Sequence, residues 1–579
     1  MQTIKKFLNL QVSRAIESST GLSEANANVI TTSKIEFGDY QANGIMPIAK
    51  HLKTNPRELA DQIIKELNLY NLNIVERYEL AGPGFINIHL KNTELIKRAN
   101  AIIDGKFPLI PETDKSLRIA VDYSSPNLAK EMHVGHLRGT IIGDAIVRVL
   151  ERLGHEVFRQ NHVGDWGTQF GMLICYLQEL QKKGIKAQPS ALADLEKFYQ
   201  AAKTRFDSDE EFAKKSRNAV VELQAGNAQS LAAWKQFIEE SLNHCDEIYR
   251  KLNVTLDRTH LDAESKYNDD LPGVIQALEK KGLLSESAGA KCAFLPEFIG
   301  KDGNQLPVIV QKSDGGYLYS TTDLAAVIHK SNNLQIDRAL YVVDARQSLH
   351  FQQVFALAKK AKFAKETISL EHISYGTMMD SSGRPFKTRS GDTVKLIGLL
   401  NESVSRAYAL VTGKNPDKAE DERLEISQKI GIASVKYADL SKNRTSDYIF
   451  DWSSMLSFEG NTAPYLLYAY ARIRSLLKKA HSGQSSHISN IVAPIERILI
   501  TKLLQFPEIV EAVATDCLPN QLCNYLHDMV SIFMRFYEEC PILSEKEEIR
   551  DSRLALSELT SLVISEGLEL LGIETLEKM

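Results

Sequence analysis

The sequence predicts an α/β protein: a parallel-sheet domain with a helical insertion, a smaller α/β domain before it and an all-α region after it. Three observations carry this prediction. Apolar side chains alternate along residues 117–121, as in a strand, and a turn and a helical repeat follow at once. Residues 339–344, ALYVVD, form the near-continuous apolar run of a buried strand. Beyond about residue 400 the pattern is helical.

The stretch DYSSPNLAKEMHVGHLRGTIIGD, residues 122–144, connects the first strand to its helix. His133 and His136 project to one side of the helix start, where orphan backbone N–H groups favour an anion and imidazoles can donate to a phosphate. Gly135 would let a nucleotide approach the backbone closely. A histidine that only caps the helix is the alternative, and the strand–loop–helix context favours a nucleotide.

Length and composition limit the class of protein. With 579 residues the chain has room for about three or four domains, and 43% hydrophobic and 25% charged residues are typical of a soluble globular protein. The sequence contains no run of eighteen apolar residues, so we expect no membrane span. The first residues lack the apolar core of a signal peptide. A net charge of −5 requires that any cations for RNA be concentrated on particular faces.

Cysteine usage speaks to compartment and metals. The six cysteines show no C-x-x-C spacing, which argues against a zinc site and a disulfide framework and suits a reducing cytoplasm. We expect no metal-ligand cluster and a cytoplasmic location.

Residues 1–110 are predicted to form a separate α/β domain. An amphipathic helix opens it, Asn55 before Pro56 is typical of a helix cap, and residues 85–90 alternate as a strand. The polar, proline-bearing residues 104–116 are a predicted linker into the next domain.

In the central region a second strand candidate at 154–158 leads into the glycine-rich stretch 161–169, which could shape a substrate pocket. Residues 178–262 are helical and highly charged, and predict an insertion whose charges face solvent. Further strands are predicted at 307–310, 316–319 and 373–378. Ser320 to Ala326 is predicted to be a capped helix start. The polar loop 380–391 carries three cations.

Near the C-terminal side, Thr462–Lys479 is a predicted helix. It places Tyr465, Tyr468 and Arg472 on one face, and Arg474 follows. Aromatic residues interleaved with basic ones suit an unpaired base beside phosphates, whereas tyrosines in the core and solvated cations are the alternative.

The string SPNLAKEMHVGHLR resembles the HIGH signature of class I aminoacyl-tRNA synthetases and, at its full length, the arginyl-tRNA synthetases of bacterial type. The resemblance extends over nearly the whole chain, through YAYARIR at 468–474 and the closing LLGIETLEKM. The HIGH-type motif comprises Ser125, Pro126, Asn127, Leu128, Ala129, Lys130, Glu131, Met132, His133, Val134 and Gly135.

This resemblance implies an arrangement of domains. Residues 1–110 would contact the tRNA elbow, and 111–400 would be a Rossmann-like catalytic domain with its insertion at about 178–262. Residues 401–459 would be a helical stem-contacting junction, and 460–579 a helical DALR-type anticodon-binding domain. The tRNA contacts implied are Tyr40, Asn43, Tyr465, Tyr468, Arg472 and Arg474.

The resemblance also implies the reaction: L-arginine is activated with ATP and transferred to tRNA(Arg) by a monomer with no membrane association. ATP would arrive with Mg²⁺ held mostly by phosphate oxygens and water, with no structural metal. The implied ATP contacts are His133, Gly135, His136, Lys130 and Lys387. The loop PFKTRS departs from the family's second signature, KMSKS, so Lys130, Lys387 and Arg389 all remain candidate catalytic cations beside His133 and His136.

An arginine pocket must meet a planar, permanently charged guanidinium, which a bidentate carboxylate does best. The resemblance places this pocket at Asp122, Ser124, Asn127, His133, Tyr319, Asp323 and Gln347. Asp323 and Asp122 would face the guanidinium and Tyr319 would stack on it or hydrogen bond to it. Asn127 and Gln347 would hold the α-amino and carboxylate groups. A role of Asp323 in the helix dipole is the alternative, and Asp122 is one methylene shorter than the family's glutamate.

Two other classes of protein share parts of this pattern. Nucleotidyltransferases that make nucleotide cofactors carry H-x-G-H but are generally shorter and lack a helical RNA-binding region. An inert RNA-binding scaffold would suit the C-terminal region but would not need both histidines and the loop at 385–390. In the synthetase family that this chain resembles, adenylate formation generally waits for the tRNA.

Overall fold

The structure is a computed structural model that describes residues 2–32, 35–183, 195–386, 394–480 and 487–579. The chain divides into two compact units. The terminal unit comprises residues 1–113, 458–569 and 575–579, and the central unit comprises 114–457 and 570–574.

The first part of the terminal unit is an antiparallel sheet with helices. Its elements are α1 (Ile4–Thr20), β1 (Val29–Thr31), β2 (Tyr40–Ala42), α2 (Ile45–Leu52), α3 (Pro56–Tyr70), β3 (Val75–Ala81), β4 (Phe85–Leu90) and α4 (Asn92–Ile103). The strand order is β1-β2-β4-β3. The predicted strand at 85–90 is confirmed, and so is the cap, because the Asn55 side chain accepts from the backbone N–H of Arg57.

A four-stranded parallel sheet organises the central unit, as predicted. It is built from β5 (Arg118–Asp122), β6 (Glu156–Gln160), β10 (Arg338–Tyr341) and β11 (Ser369–His372), in the order β11-β10-β5-β6. The helix α5 (Gly135–Arg152) connects β5 to β6. Because Tyr341 pairs with Asp122, β5 and β10 end side by side, and the loops that follow them meet at one edge of the sheet.

Glycines let α5 lie close to its neighbours. A Cβ on Gly143 would be 2.3 Å from the Cβ of Tyr123, and one on Gly139 would be 2.7 Å from the hydroxyl of Tyr375. Neither distance is compatible with a side chain, so these two positions fix how deeply the signature helix sits against the loop after β5.

The helical insertion is confirmed in the described residues. After α6 (Thr168–Lys182) come α7 (Leu195–Ser208), α8 (Glu210–Gln224) and α9 (Ala228–Lys251). The chain then continues through α10 (Leu271–Lys280), the antiparallel strands β7 (Ser285–Ser287), β8 (Ala290–Ile299) and β9 (Gln305–Gln311), α11 (Tyr319–Asn332) and α12 (Ser348–Lys360).

Two predictions in this region are wrong. Residues 316–319 are not a strand, because α11 begins at Tyr319 after the cap residue Leu318, and Ser320 uses its hydroxyl on the carbonyl of Ile309 rather than as a cap. The predicted strand at 373–378 is displaced: β11 ends at His372, and a separate short strand β12 (Met378–Met379) pairs with β13 (Tyr448–Ile449).

Helices make up most of the remaining chain. They are α13 (Leu396–Lys414), α14 (Glu420–Leu440) and α15 (Trp452–Met455) in the central unit, then α16 (Ala463–Lys479), α17 (Pro494–Leu504), α18 (Phe506–Asp516), α19 (Pro519–Glu539) and α20 (Glu547–Leu570). The predicted helix start is confirmed, with Thr462 capping α16. None of the helices in the described ranges combines the length and apolarity of a membrane span. The six cysteines are free and buried.

Residues 570–574 return to the central unit. The ammonium of Lys436, which is buried, donates to the carbonyl oxygens of Leu252 (2.6 Å) and Gly572 (2.7 Å). Burial lowers the pKa of Lys436 to about 7. A side chain at Gly572 would meet the ammonium, since its Cβ would lie 2.5 Å from Nζ.

Candidate active site

The loop after β5 is tightly held. Ser124 and Ser125 both have positive φ values, 70° and 45°, which turn the chain back toward the sheet. The Ser125 backbone N–H donates to Asn161 Oδ1 (3.0 Å), and Ser125 Oγ donates to Asp122 Oδ1 (3.0 Å). Buried Ser124 Oγ lies 2.8 Å from the hydroxyls of both Tyr249 and Thr140. Ser124 Oγ is therefore part of a buried hydroxyl network, and its contact with arginine stays a prediction.

The two signature histidines are held in one tautomer. The backbone N–H of His133 donates to Nδ1 of His136 (3.1 Å), and that of Gly135 donates to Nδ1 of His133 (3.0 Å). Because both Nδ1 atoms accept, each proton belongs on Nε2. Burial lowers the pKa of His136 to about 3, and burial and Lys130 lower that of His133. Both imidazoles are therefore neutral at pH 7, with one outward donor each.

The backbone at this helix start behaves differently from the prediction. The N–H of Gly135 is taken by His133 Nδ1, that of His136 by the carbonyl of His133 (2.9 Å), and that of Leu137 by the carbonyl of Val134 (3.2 Å). The expectation of orphan N–H groups for an anion is wrong here, because the loop satisfies them itself. The imidazole Nε2 atoms are the donors that remain.

Of the three candidate cations, the structure describes one. The Lys130 ammonium lies 4.3 Å from the ring centre of Tyr199 in α7. Lys387 and Arg389 lie outside the described residues. The chain that follows them reaches the signature loop: the N–H of Val134 donates to the carbonyl of Val394 (3.0 Å), and Lys395 pairs with Glu131 (2.9 Å).

Asp323 lies in the first turn of α11, with a side chain that is 15% exposed. Its Oδ2 is 2.5 Å from Nε2 of His350. Tyr319, one turn earlier, is 67% exposed, so its ring is available to a ligand. These two residues place a carboxylate and an exposed aromatic ring in the same helical turn.

Asp122 has a different partner from the one predicted. Its Oδ2 lies 3.5 Å from the ammonium of Lys330, which is 1% exposed and sits 4.7 Å from the ring centre of Tyr341. Burial opposes the lysine charge, but Tyr341 and Asp122 raise the pKa of Lys330. The Asp122 carboxylate thus balances a buried cation, and its direct contact with the guanidinium stays a prediction.

The remaining predicted arginine ligands differ in availability. Asn127 is half-buried, and its Oδ1 accepts from the N–H of Ala129 (3.0 Å). Gln347 is exposed at the start of α12.

Glu264 is a further acidic residue of the candidate site, and no sequence pattern predicted it. Burial, together with Asp165 and Asp323, raises the pKa of Glu264 to about 7. Burial and Glu264 in turn raise the pKa of Tyr319, so the carboxyl lies among the pocket groups. Glu264 follows the charged insertion without any periodic signal, and only the fold brings it to Asp323.

A largely buried histidine, His162, lies near Glu264. His162 Nδ1 lies 3.6 Å from Asp262 Oδ2, and although burial opposes its charge, Asp262, Asp122 and Asp323 raise its pKa to about 9. In the described ranges no three His, Cys, Asp or Glu side chains converge as metal ligands.

The predicted tRNA contacts belong to the terminal unit and are not equivalent. Tyr40 is completely buried and donates to Glu508 Oε1 (2.8 Å), so we revise its assignment as an RNA contact. Asn43 is half-buried. Arg474 pairs with Glu577 (3.0 Å).

On the other side of α16, Tyr468 is 40% exposed, and the half-buried Tyr465 lies 5.8 Å from His527 between ring centres, with the two rings tilted. The Arg472 guanidinium lies 4.2 Å from the ring centre of Tyr537. This face therefore combines one exposed tyrosine with a half-buried one and a cation.

The sheet, the histidine loop and the helical region have counterparts in known families. Residues 100–452 match the family model "tRNA synthetases class I (R), catalytic domain", 466–579 match "DALR anticodon binding domain" and 6–90 match "Arginyl tRNA synthetase N terminal domain". The curated "Arginine--tRNA ligase" of Marinomonas sp. is 53% identical, with all of both chains covered. The chain belongs to the arginine–tRNA ligase family. That of Chromobacterium violaceum is 52% identical, again over both full chains.

Solved structures of this family have the same fold. The arginyl-tRNA synthetase of Plasmodium falciparum is 30% identical, with a TM-score of 0.85 and full coverage of both chains. The arginyl-tRNA synthetase of Thermus thermophilus is 24% identical, also with a TM-score of 0.85 and full coverage of both chains. At this identity the likeness shows a shared fold. The predictions of a class I synthetase, of its Rossmann-like catalytic domain and of a helical DALR-type region are confirmed. Membership of this arginine–tRNA ligase family makes the chain an aminoacyl-tRNA ligase.

Proposed function

We propose that this arginine–tRNA ligase carries out both steps of its reaction at the edge where β5 and β10 end. A carboxylate oxygen of arginine attacks the α-phosphorus of ATP, the bond to the β-phosphate oxygen breaks, and pyrophosphate leaves. A ribose hydroxyl of the terminal adenosine of tRNA(Arg) then attacks the carbonyl carbon and releases AMP. The observation that carries the proposal is the pair of neutral imidazoles, His133 and His136, each of which uses Nδ1 as an acceptor and so keeps its proton on Nε2, with no partner for Nε2 among the described residues.

On the phosphate side, His133 and His136 would donate to the oxygens that gain charge as pyrophosphate leaves. Neutral donors suit this task because they hold their proton without having to titrate. Lys130 supplies a full positive charge from the same loop, and Lys387 and Arg389 remain candidates for a second one. Mg²⁺ enters with ATP as part of the substrate.

On the amino-acid side, Asp323 and Glu264 would share the guanidinium and Tyr319 would lie along its plane. Glu264 has to lose its proton when the cation binds, because its pKa is about 7 in the empty pocket. Asn127 and Gln347 are the candidates for the α-amino and carboxylate groups. Asp122 contributes indirectly, by neutralising Lys330 beneath the pocket.

For tRNA we propose the face of α16 that carries Tyr465, Tyr468 and Arg472 as a contact for unpaired bases. Asn43 remains a candidate for the elbow contact. A monomeric state and a cytoplasmic location stay predictions of the sequence analysis.

Pyrophosphate exchange tests the proposal. The parent protein with tRNA(Arg) should incorporate label into ATP with arginine and not with lysine or the other amino acids. Exchange that ignores the identity of the amino acid, or that survives intact in both His133→Ala and His136→Ala, would contradict it.

A further inference from the structure

The helical insertion, for which the sequence suggested no chemistry, reaches the catalytic loop at several points. Tyr199 in α7 lies under the ammonium of Lys130, 4.3 Å from Nζ to the ring centre. From α9, Ser241 donates to the carbonyl of Leu128, and Tyr249 meets Ser124 (2.8 Å between oxygens). The insertion therefore packs directly on the loop that carries the candidate cation.

The Tyr199 ring is itself fixed. It is 7% exposed, and its neighbour Phe198 packs against Tyr176 (5.1 Å between ring centres) and Phe237 (5.5 Å). At the other end of α9, Trp234 donates to the carbonyl of Asp165 (2.7 Å), in the second loop of the site. The Tyr199 ring is thus buried on a helix that Phe198 packs against α6 and α9, and it presents a face to the lysine.

Among the described residues, no carboxylate lies within ion-pair distance of Lys130. This matters because a carboxylate would neutralise the ammonium and compete with phosphate for it. An aromatic face attracts a cation without cancelling its charge, and more weakly than a phosphate does. A lysine resting on a ring is thus ordered, charged and ready to transfer.

We propose that Tyr199 is a positioning residue for the known reaction: it holds Lys130 in reach of the ATP phosphates, and the insertion exists in part to supply it. Tyr199 touches no reacting atom and acts only through the lysine. The inference rests on the proposed role of Lys130 in phosphate stabilisation. Without the ring, the long lysine side chain would have to be ordered anew in each catalytic cycle.

A double-mutant cycle tests this in the full-length protein with tRNA(Arg) and saturating arginine. Tyr199→Leu should lower kcat/KM for ATP in pyrophosphate exchange by about two- to thirtyfold, the range expected from losing a cation–π contact. Tyr199→Phe, which keeps the ring, should restore most of the rate. In a Lys130→Ala background Tyr199→Leu should have no further effect.

Two measurements separate positioning from folding. Tyr176→Leu removes the ring that packs against the neighbouring Phe198 without touching Lys130, so it should not reproduce the loss for ATP. Fluorinated phenylalanines at position 199 keep the shape of the ring and weaken its negative face, so the rate should fall stepwise with each fluorine. KM for arginine should stay constant throughout.

The outcomes are distinct. An equal loss from Tyr199→Leu with and without Lys130, or a rate that ignores fluorination, overturns the positioning role while leaving Lys130 in the mechanism. If Lys130→Ala alone leaves exchange unchanged, the proposed role of the lysine fails and the inference fails with it. If Tyr199→Leu does not fold, the fluorinated series decides.

Discussion

The backbone N–H of His133 donates to Nδ1 of His136 across 3.1 Å, so one signature histidine orients the other. Because these bonds and the lowered pKa values leave two neutral Nε2–H donors, their loss should weaken stabilisation of the departing pyrophosphate. We expect His133→Ala and His136→Ala each to reduce exchange roughly a hundredfold or more.

His155 is a matched control for this prediction. Its Nδ1 also accepts from a backbone N–H, that of Leu117 (3.1 Å). His155, however, comes just before the start of β6, whereas the histidine loop follows the end of the neighbouring parallel strand β5. His155→Ala should keep exchange near the parent rate; a hundredfold loss there would mean that the effect is structural.

Removal of the Asp323 carboxylate should act on arginine rather than on ATP. The Asp323 side chain is only 15% exposed. In Asp323→Asn the bound guanidinium therefore loses a largely buried carboxylate partner, which costs about 2–5 kcal/mol of binding free energy. KM for arginine should therefore rise far more than KM for ATP. An unaltered KM for arginine would exclude the pairing.

Asp122→Asn should behave in the opposite way, because it strands the buried ammonium of Lys330. Loss of one partner of a buried ion pair costs about 3–5 kcal/mol of folding stability. Urea unfolding should report this loss, and the double variant Asp122→Asn with Lys330→Met should recover part of it. A stable Asp122→Asn protein with a raised KM for arginine would instead support a direct contact with the guanidinium.

Arginine binding should depend on pH through Glu264. Its raised pKa, about 7, means that the free protein carries a neutral carboxyl below pH 7 and a carboxylate above. Since the guanidinium needs the carboxylate, KM for arginine should rise about tenfold between pH 8 and pH 6. At pH 8 the Glu264→Gln protein should bind arginine more weakly than the parent, and its KM for arginine should not change between pH 8 and pH 6. If KM of the variant instead follows the same pH dependence as that of the parent, Glu264 has no such role.

Glu508 should make the terminal unit less stable as pH rises. The carboxyl is buried with one oxygen bonded to Tyr40 and the other without a partner in the described residues, and burial raises its pKa to about 7. Between its unfolded pKa near 4.5 and pH 7 the folded state binds the extra proton, so stability falls across that window and stays low above it.

Glu508→Gln should remove this slope and raise stability at pH 8 by on the order of 3 kcal/mol. Urea unfolding at pH 5 to 8 measures it. Asp61→Asn, which alters an exposed pair with Lys65 in the same unit, is the control and should change little. Equal slopes in the parent and in Glu508→Gln would show that the carboxyl is ionised when folded.

Exchange should be negligible without tRNA(Arg), because the RNA must favour the competent conformation for the coupling expected in this family. Deletion of the chain after about residue 460 should abolish exchange. That deletion also removes Gly572 from Lys436, so Tyr468→Ala with Arg472→Ala is the cleaner variant. It should weaken tRNA binding and reduce the salt dependence of the affinity. Strong arginine-dependent exchange in RNA-free protein would refute the coupling but not the activity.

Short-range sequence patterns predicted the features that depend on neighbouring residues. The alternation before Asp122 and the repeat after Gly135 predicted the strand and helix of the signature, and Asn55 caps its helix as predicted. The helix predicted from Thr462 also begins there, with Thr462 as its cap. Long-range partners could not be read in the same way. Nothing in the sequence separates Asp122, which faces buried Lys330, from Asp323, which faces the open pocket.

Two further residues illustrate that limit. Tyr199 lies in the insertion whose charges were predicted to face solvent, and Glu264 lies just after it. Only the folded chain brings Glu264 near Asp323 and Tyr199 against Lys130.

Because Gly572 lies near the end of the sequence, the contact of Lys436 with Gly572 can form only late in synthesis. Residues 114–457 are translated long before residues 570–574, so until then the Lys436 side chain has only one of its two carbonyl acceptors. A ribosome-bound fragment that ends before residue 570 therefore contains the histidine loop but lacks this contact. We expect such a fragment to be less stable than the unit completed by residues 570–574, because a buried ammonium is then short of one acceptor.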